Sequence, residues 1–269
     1  MSFTLRALGT SRRLALAGAF VMLAAGTHFS LRAEDQPTVA AAADLQFALA
    51  EVAQRFQEEK GHSVRLTFGS SGNFLTQIEH GAPFQLFLSA DEAYVKRLAT
   101  RGLTRDDGSL YAVGRIVVFA PNGSPLKVDA ELLGLKAALG EGRISRFAIA
   151  NPEHAPYGRA AKEALIAAGL WSQLEAALVL GENASQAAQF ATLGSAQGGI
   201  IPLSLVLQPE VAKRGTWSLL PESMHAPLLQ RMVLLKDAGS VAAEFYSYMQ
   251  ESSARAILAR YGFVLPAIN

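Results

Sequence analysis

The chain contains no cysteine. That excludes disulfides, thiolate metal sites, a cysteine nucleophile and a lipid anchor on an N-terminal cysteine. It also lacks any unbroken apolar run approaching 18 residues, so no segment is long enough to cross a bilayer core of roughly 30 Å as a helix. Basic runs of the kind that mark nucleic-acid binders are absent, as are repeats at a fixed period. His62, His80, His154 and His225 form no i, i+4 pair and no metal-binding motif. They read as solvated or capping side chains, and no free metal cation is expected. Gly69-Ser70-Ser71-Gly72 is not Gly-x-Ser-x-Gly, and no lysine follows it as a phosphate loop requires. A Ser–His–Asp site could still assemble in space, because triad order is not fixed in sequence. The chain therefore reads as a non-enzyme, with a hydrolase as the lesser alternative.

What is present begins with charge asymmetry. Residues 1–33 carry Arg6, Arg12, Arg13 and Arg32 and no acid, with an apolar stretch over 14–25. Ala33 then precedes the polar Glu34-Asp35-Gln36-Pro37. A basic start, a short apolar middle and a small residue at the break predict an export signal cleaved near Ala33, and hence a periplasmic protein. Leu31 is unusual two residues before such a cut, and Ser11-Arg12-Arg13 only faintly suggests a twin-arginine signal. The whole chain has 24 basic and 23 acidic residues; without the four arginines of the signal, 20 face 23, a formal charge of −3. Any anion must then be drawn in by local groups, because the global field opposes it.

From residue 39 onward, short apolar runs alternate with helical periodicity. Strands are expected at 39–43, 64–68, 85–89, 115–119, 147–150, 178–180, 199–201 and 232–235. Helices are expected over 45–60, 74–79, 91–101, 159–168, 184–193, 241–250 and 253–260. Such alternation predicts an α/β fold with mainly parallel sheets flanked by helices. In parallel sheets, ligands bind where strand ends pass into helix starts. Four small-residue turns do this here: Ala43-Asp44, Gly69 to Asn73, Pro156-Tyr157-Gly158, and Glu182 to Ser185. A helix start leaves about four N–H groups unpaired and carries roughly half a positive charge. Several converging on one cleft would hold an oxyanion without lysine or arginine.

The order of these turns resembles the periplasmic molybdate-binding proteins of ABC importers. The resemblance is carried by Val39-Ala40-Ala41-Ala42-Ala43-Asp44-Leu45, by Phe68-Gly69-Ser70-Ser71-Gly72, and by the stretch 78–91 from Ile78 to Asp91. Asn151-Pro152-Glu153-His154-Ala155-Pro156-Tyr157-Gly158 and Arg260-Tyr261-Gly262-Phe263 complete it. It implies a type II periplasmic-binding-protein fold with two lobes and a hinge. Residues 34–112 plus 228–269 would form lobe I and 113–227 lobe II, with crossovers near 112–115 and 221–227. It implies a monomer that binds molybdate or tungstate, needs no cofactor, and delivers the anion to a membrane permease. Ligand-binding residues carried over are Asp44, Ser70, Ser71, Tyr157 and, through its backbone N–H, Ala184. A ligand-sensing domain of a transcription regulator shares this architecture, but would need a helix-turn-helix where residues 1–33 read as a signal.

Two positions depart from the family's pattern. Some members have a tyrosine where this chain has Pro202; Tyr157 could replace the lost hydroxyl. More consequential is Asp44, where the family most often has serine. A carboxylate about 4 Å from one unit negative charge costs on the order of 4 kcal/mol at an effective dielectric near 20, and more beside a dianion. Asp44 could be an N-cap accepting from the next helix turn. It could instead be protonated, or accept a proton from a protonated oxyanion such as phosphate. Or the ligand could be something else, such as a metal complex.

Overall fold

In a computed structural model, residues 36–267 are described; the expected export signal lies outside them. The chain enters through β1 (Thr38–Ala42), the alanine-rich run, whose Val39, Ala40 and Ala41 are fully buried. A 3₁₀ turn, Ala43–Leu45, leads into α1 (Gln46–Lys60). There follow β2 (Arg65–Gly69), α2 (Ser71–Glu79), β3 (Leu86–Ser89), α3 (Glu92–Thr100) and β4 (Ser109–Gly114). Past Arg115 the chain enters β5 (Ile116–Pro121), then α4 (Leu133–Gly140), β6 (Phe147–Ala150), α5 (Pro156–Ala167), α6 (Trp171–Leu174) and β7 (Leu178–Gly181). α7 (Ala184–Thr192), β8 (Gly198–Pro202), α8 (Leu203–Val206), α9 (Pro209–Ala212) and β9 (Gly215–Leu219) come next. β10 (Leu228–Leu234), α10 (Ser240–Tyr248) and α11 (Ser252–Arg260) close the chain.

Two five-stranded sheets result, ordered β2-β1-β3-β10-β4 and β7-β6-β8-β5-β9. Pairing of β1 with β2 and β3 is parallel, and β10 is antiparallel to both β3 and β4. Four strands of the first sheet therefore point one way. The second sheet repeats the plan, with β6, β7 and β8 parallel and β5 the reversed strand between β8 and β9. These are two mixed sheets flanked by helices, the α/β class expected from the alternation, in the two-lobed arrangement that the resemblance implied. The chain passes between sheets twice, from β4 to β5 and from β9 to β10. Apolar clusters line both faces of each sheet. The face of the first sheet covered by α1, α10 and α11 centres on Phe56, whose ring lies 5.0 Å from Phe245 edge-on and 5.3 Å from Tyr248.

The differences from expectation have local causes. β4 and β9 were not foreseen: each is the last strand of its sheet, and Gly-Thr-Trp-Ser-Leu has no clean alternation. α4 was likewise unexpected. α2 and α5 begin three residues earlier than their periodicity suggests, at Ser71 and Pro156, so the small-residue turns are first helical turns rather than loops. Proline at the first helical position has no N–H to leave unpaired, and its fixed φ suits the helix.

Close packing of α5 on β6 depends on Gly158. A Cβ there would sit 2.2 Å from the backbone oxygen of Ala150, which cannot swing aside. Gly158→Ala should lower unfolding free energy by roughly 1–3 kcal/mol in urea titrations. Gly140→Ala, whose Cβ would meet nothing within 4 Å, should change it by about 0.5 kcal/mol or less. Equal effects would show that α5 is not held by this contact.

Candidate functional site

Each sheet sends two helix starts toward the other. In the first, β1 ends at the turn Ala43–Leu45 and β2 ends at α2; in the second, β6 leads to α5 and β7 to α7. A small gap of about 10 Å³ lies where these four meet, lined by Ala42, Ala43 and Asp44, Gly69 to Ser71, Ala90, Ala155 to Tyr157, and Ala184. All five residues named from the sequence, Asp44, Ser70, Ser71, Tyr157 and Ala184, line it. Its volume is far below the roughly 300–1,000 Å³ of pockets for drug-sized ligands and leaves room for about one water-sized group. Pro202, the second departure from the family's pattern, is not among the lining residues.

The walls are short of side-chain charge. Among the described residues, Asp44 is the only charged one lining the cavity; no lysine or arginine does. Positive potential there comes from helix starts. No N-cap side chain fills the first turns of α2 or α5. In α7, Asn183 accepts from Gln186, at the third helical position, leaving Ala184 and Ser185 ahead of it. First-turn N–H groups have no carbonyl within their own helix. The Ser71 hydroxyl accepts from the Ala90 N–H at 3.0 Å, so its proton remains available to donate into the cavity.

The two lobes are drawn together around this space. Ser70 Oγ donates to the backbone oxygen of His154, which also accepts from the Gly72 N–H at 3.0 Å. Ser185 Oγ lies 2.9 Å from the Ala43 oxygen and 2.6 Å from Gln46 Oε1, and Ser204 donates to the Asp44 oxygen at 2.7 Å. Arg159 pairs with Asp91 beside the cavity. His154, read from the sequence as a solvated or capping residue, is instead part of this contact, with Nδ1 3.0 Å from Ser70 Oγ and Nε2 3.6 Å from Glu182. This is not a hydrolase triad in working order. The serine proton goes to a carbonyl rather than to the ring, and Glu182 is 69 % exposed instead of buried behind the histidine.

Asp44 is not a helix cap. The capping positions around it are Ala42 and Leu45, neither with a side-chain cap, and its carboxylate turns toward β10. There Gln230 Nε2 donates to Asp44 Oδ2 at 2.7 Å and to the Tyr157 hydroxyl at 2.9 Å, while the Tyr111 hydroxyl donates to Gln230 Oε1 at 2.7 Å. Gly114, at the first crossover, makes room for this: a Cβ would fall 2.2 Å from the Tyr157 hydroxyl and 2.8 Å from Gln230 Nε2. Asp44 is 1 % exposed and Gln230 fully buried. Burial pushes the Asp44 carboxyl up to about 6, against the opposing pull of Gln230, Tyr157 and its own N–H. Burial likewise pushes both tyrosines well above their usual range, reinforced by the Asp44 charge. The second oxygen, Asp44 Oδ1, is buried and meets no donor in hydrogen-bonding geometry.

Gln230 and Tyr111 were not found from the sequence. The only signal was one amide in the apolar strand Leu-Leu-Gln-Arg-Met-Val-Leu. A carboxyl raised from 3.8 to about 6 in the fold keeps its proton there over a range where the unfolded chain has lost it. Its stabilising contribution is therefore complete below about pH 4 and lost as pH rises through about 6, roughly 3 kcal/mol in all. Glu79 and Glu92, held low by arginine and lysine partners, work in the opposite sense. The comparison that isolates Asp44 is therefore wild type against Asp44→Asn. In urea titrations from pH 4 to pH 7.5, the variant should gain on wild type by roughly 3 kcal/mol; a constant difference would mean the carboxyl is not buried this way.

Residues 37–264 match the family described as bacterial extracellular solute-binding protein. The chain is 36 % identical over 228 residues to the molybdate-binding protein ModA of Rhodobacter capsulatus, covering 84 % of this chain and 86 % of the relative. It is 33 % identical over 230 residues to the ModA of Azotobacter vinelandii, covering 84 % and 89 %. The solved periplasmic molybdate-binding protein of Azotobacter vinelandii superposes with a TM-score of 0.79 at 29 % identity, over 86 % of this chain and all of that one.

Proposed function

We propose, from the premise that this chain belongs to the bacterial extracellular solute-binding protein family, that it binds a tetrahedral oxyanion, molybdate or tungstate, in the cavity between its lobes. The observation that carries this reading is the meeting of four helix starts, from equivalent strand ends of both sheets, on a small space with no cationic side chain. Backbone N–H groups of the turns at Ala43–Leu45, Ser71 and Ala184, with the Ser71 hydroxyl, supply the donors. Asp44, Ser70 and Tyr157 complete the wall. Two relatives named for molybdate binding support the choice of anion.

The lobes, 34–112 plus 228–269 and 113–227, open and close about the two crossovers. The bonds from Ser70, Gly72, Ser185 and Ser204 to the opposite lobe hold the closed form. Export by the N-terminal signal places the protein in the periplasm, where as a monomer it hands the anion to the permease of an ABC importer. It is a carrier rather than an enzyme. A ferric-type metal site is disfavoured by the donor set: Asp44 is the sole carboxylate in the cavity wall. Both neighbouring phenols are pushed away from ionisation, and among the described residues no three His, Cys, Asp or Glu cluster.

Calorimetric titration with molybdate, tungstate, sulfate, phosphate and ferric iron tests this. Micromolar or tighter binding of molybdate and tungstate, with sulfate far weaker, is expected. Ser71→Ala should weaken molybdate by roughly tenfold to a hundredfold, the worth of one hydrogen bond to a charged partner. Tight binding of phosphate or iron, with none of molybdate, would reassign the site.

A further inference from the structure

The oxyanion reading leaves one group in the cavity unexplained. Donors converge on the space, yet Asp44 lines it, and one oxygen of that residue's carboxyl, Oδ1, is fully buried and meets no donor. Its partner oxygen is committed: Oδ2 accepts from Gln230 Nε2 at 2.7 Å, and that amide is itself fixed by the Tyr111 hydroxyl at 2.7 Å. Any proton on this carboxyl is therefore carried by Oδ1. Neutral, Oδ1–H is one more donor in need of an acceptor. Ionised, it is a negative charge at the edge of an anion site. We propose that Asp44 is the specificity-determining residue of the cavity, entering the complex as a neutral acid whose Oδ1 proton is donated to the bound oxyanion, so that each dianion is taken up together with one proton. The proposal rests on the oxyanion reading and deepens it.

The proton comes from solvent, and the only bonds that change are O–H bonds. Magnitudes favour protonation over repulsion. Burial, net of the hydrogen bonds that oppose it, holds the carboxyl up to about 6, so loading a proton at pH 7.5 costs a factor of about thirty. Repulsion between an ionised Asp44 and even one unit of anion charge at about 4 Å is worth on the order of a thousandfold. Binding with the proton therefore wins. Gln230 and then Tyr157, both of which favour the charged carboxylate, are the neighbours that oppose it. Of the elements packed on the turn at Asp44, α7 and α8 contain no charged residue. On α1 the charge nearest in sequence, Glu51, is engaged by Arg260, and on β2 Arg65 sits at the far end, opposite Thr38. Tyr157 from α5 and Tyr111 from β4 are held neutral, each with its charged form opposed by burial and by Asp44. Farther out, His154 pairs with Glu182, and Arg159 with Asp91.

Asparagine is the permanent mimic of neutral Asp44: its oxygen can accept from Gln230 while its NH₂ occupies the Oδ1 position. The test is molybdate titration of the purified protein at pH 7.5, in buffers of different ionisation enthalpy, which counts protons taken up per anion. Close to one proton is expected, with affinity falling about tenfold per pH unit above the carboxyl's own value. Asp44→Asn should take up none and lose the pH slope. Infrared difference spectra of the wild type identify the acceptor without any variant: a carboxylic acid C=O band should rise on adding molybdate. Binding without proton uptake, uptake that persists in a folded Asp44→Asn, or a spectrum with no rising acid band would each overturn the assignment. Absence of molybdate binding in the wild type at any pH would instead defeat the oxyanion reading beneath it.

Discussion

Backbone N–H groups at a helix start must be satisfied by something, and in a closed cleft bulk water is not at hand. That constraint organises this molecule. Because the sheets share one topology, each aims the ends of two equivalent strands, β1 and β2 or β6 and β7, at the space between them. The third strand of each sheet, β3 or β8, leads to a start closed off differently. Asp91 caps α3 with its own carboxylate, accepting from Ala93 at 2.8 Å, and Pro202 before α8 has no N–H to offer. What remains open is a set of neutral donors on both sides of a small gap. On the proposed reading, an anion of matching size would substitute for water to all of them.

The reversed strands serve a second purpose. β10 belongs to the first sheet and begins just after the chain returns from the second, so Gln230 stands close to the return crossover and touches both lobes. It bonds Asp44 of one and Tyr157 of the other, across Gly114 at the outgoing crossover. The polar network that fixes the Asp44 carboxyl thus runs between the two places where the lobes are covalently joined. The bond between Gln230 and Tyr157, at 2.9 Å, therefore ties the position of the Asp44 carboxyl to the contact between the two sheets' helices.

Much of this was legible in the sequence, for a physical reason. Buried parallel strands must be apolar on both faces, so β1, β6 and β8 stand out as short unbroken runs, and their small-residue turns mark where backbone faces ligand. Edge strands escape that rule: β9 is half exposed and leaves no apolar run to read. Ser71 and Pro156 were placed in loops because helical periodicity shows only once side chains begin to pack, a turn after the backbone has become helical. Gln230 and His154 lay beyond reach for another reason. Their roles come from partners 186 and 84 residues away, Asp44 and Ser70, and no local pattern encodes such a meeting. Asp44 was visible as a departure from the family's pattern, but whether it capped a helix or faced the network depended on that distant glutamine.

A larger cavity on the first lobe holds Arg231 and Arg255 and is where side-chain charge alone would send an anion. Both guanidinium groups have partners there, Glu92 and the Gly108 oxygen for one and the Pro266 oxygen for the other. Crystallographic location of molybdenum by its anomalous scattering, in crystals grown with molybdate, therefore decides between backbone and side-chain recognition. A single strong peak bounded by Asp44, Ser71, Tyr157 and Ala184 is expected. A peak beside Arg231 and Arg255, with the cleft between the lobes empty, would contradict the claim that helix starts hold the anion.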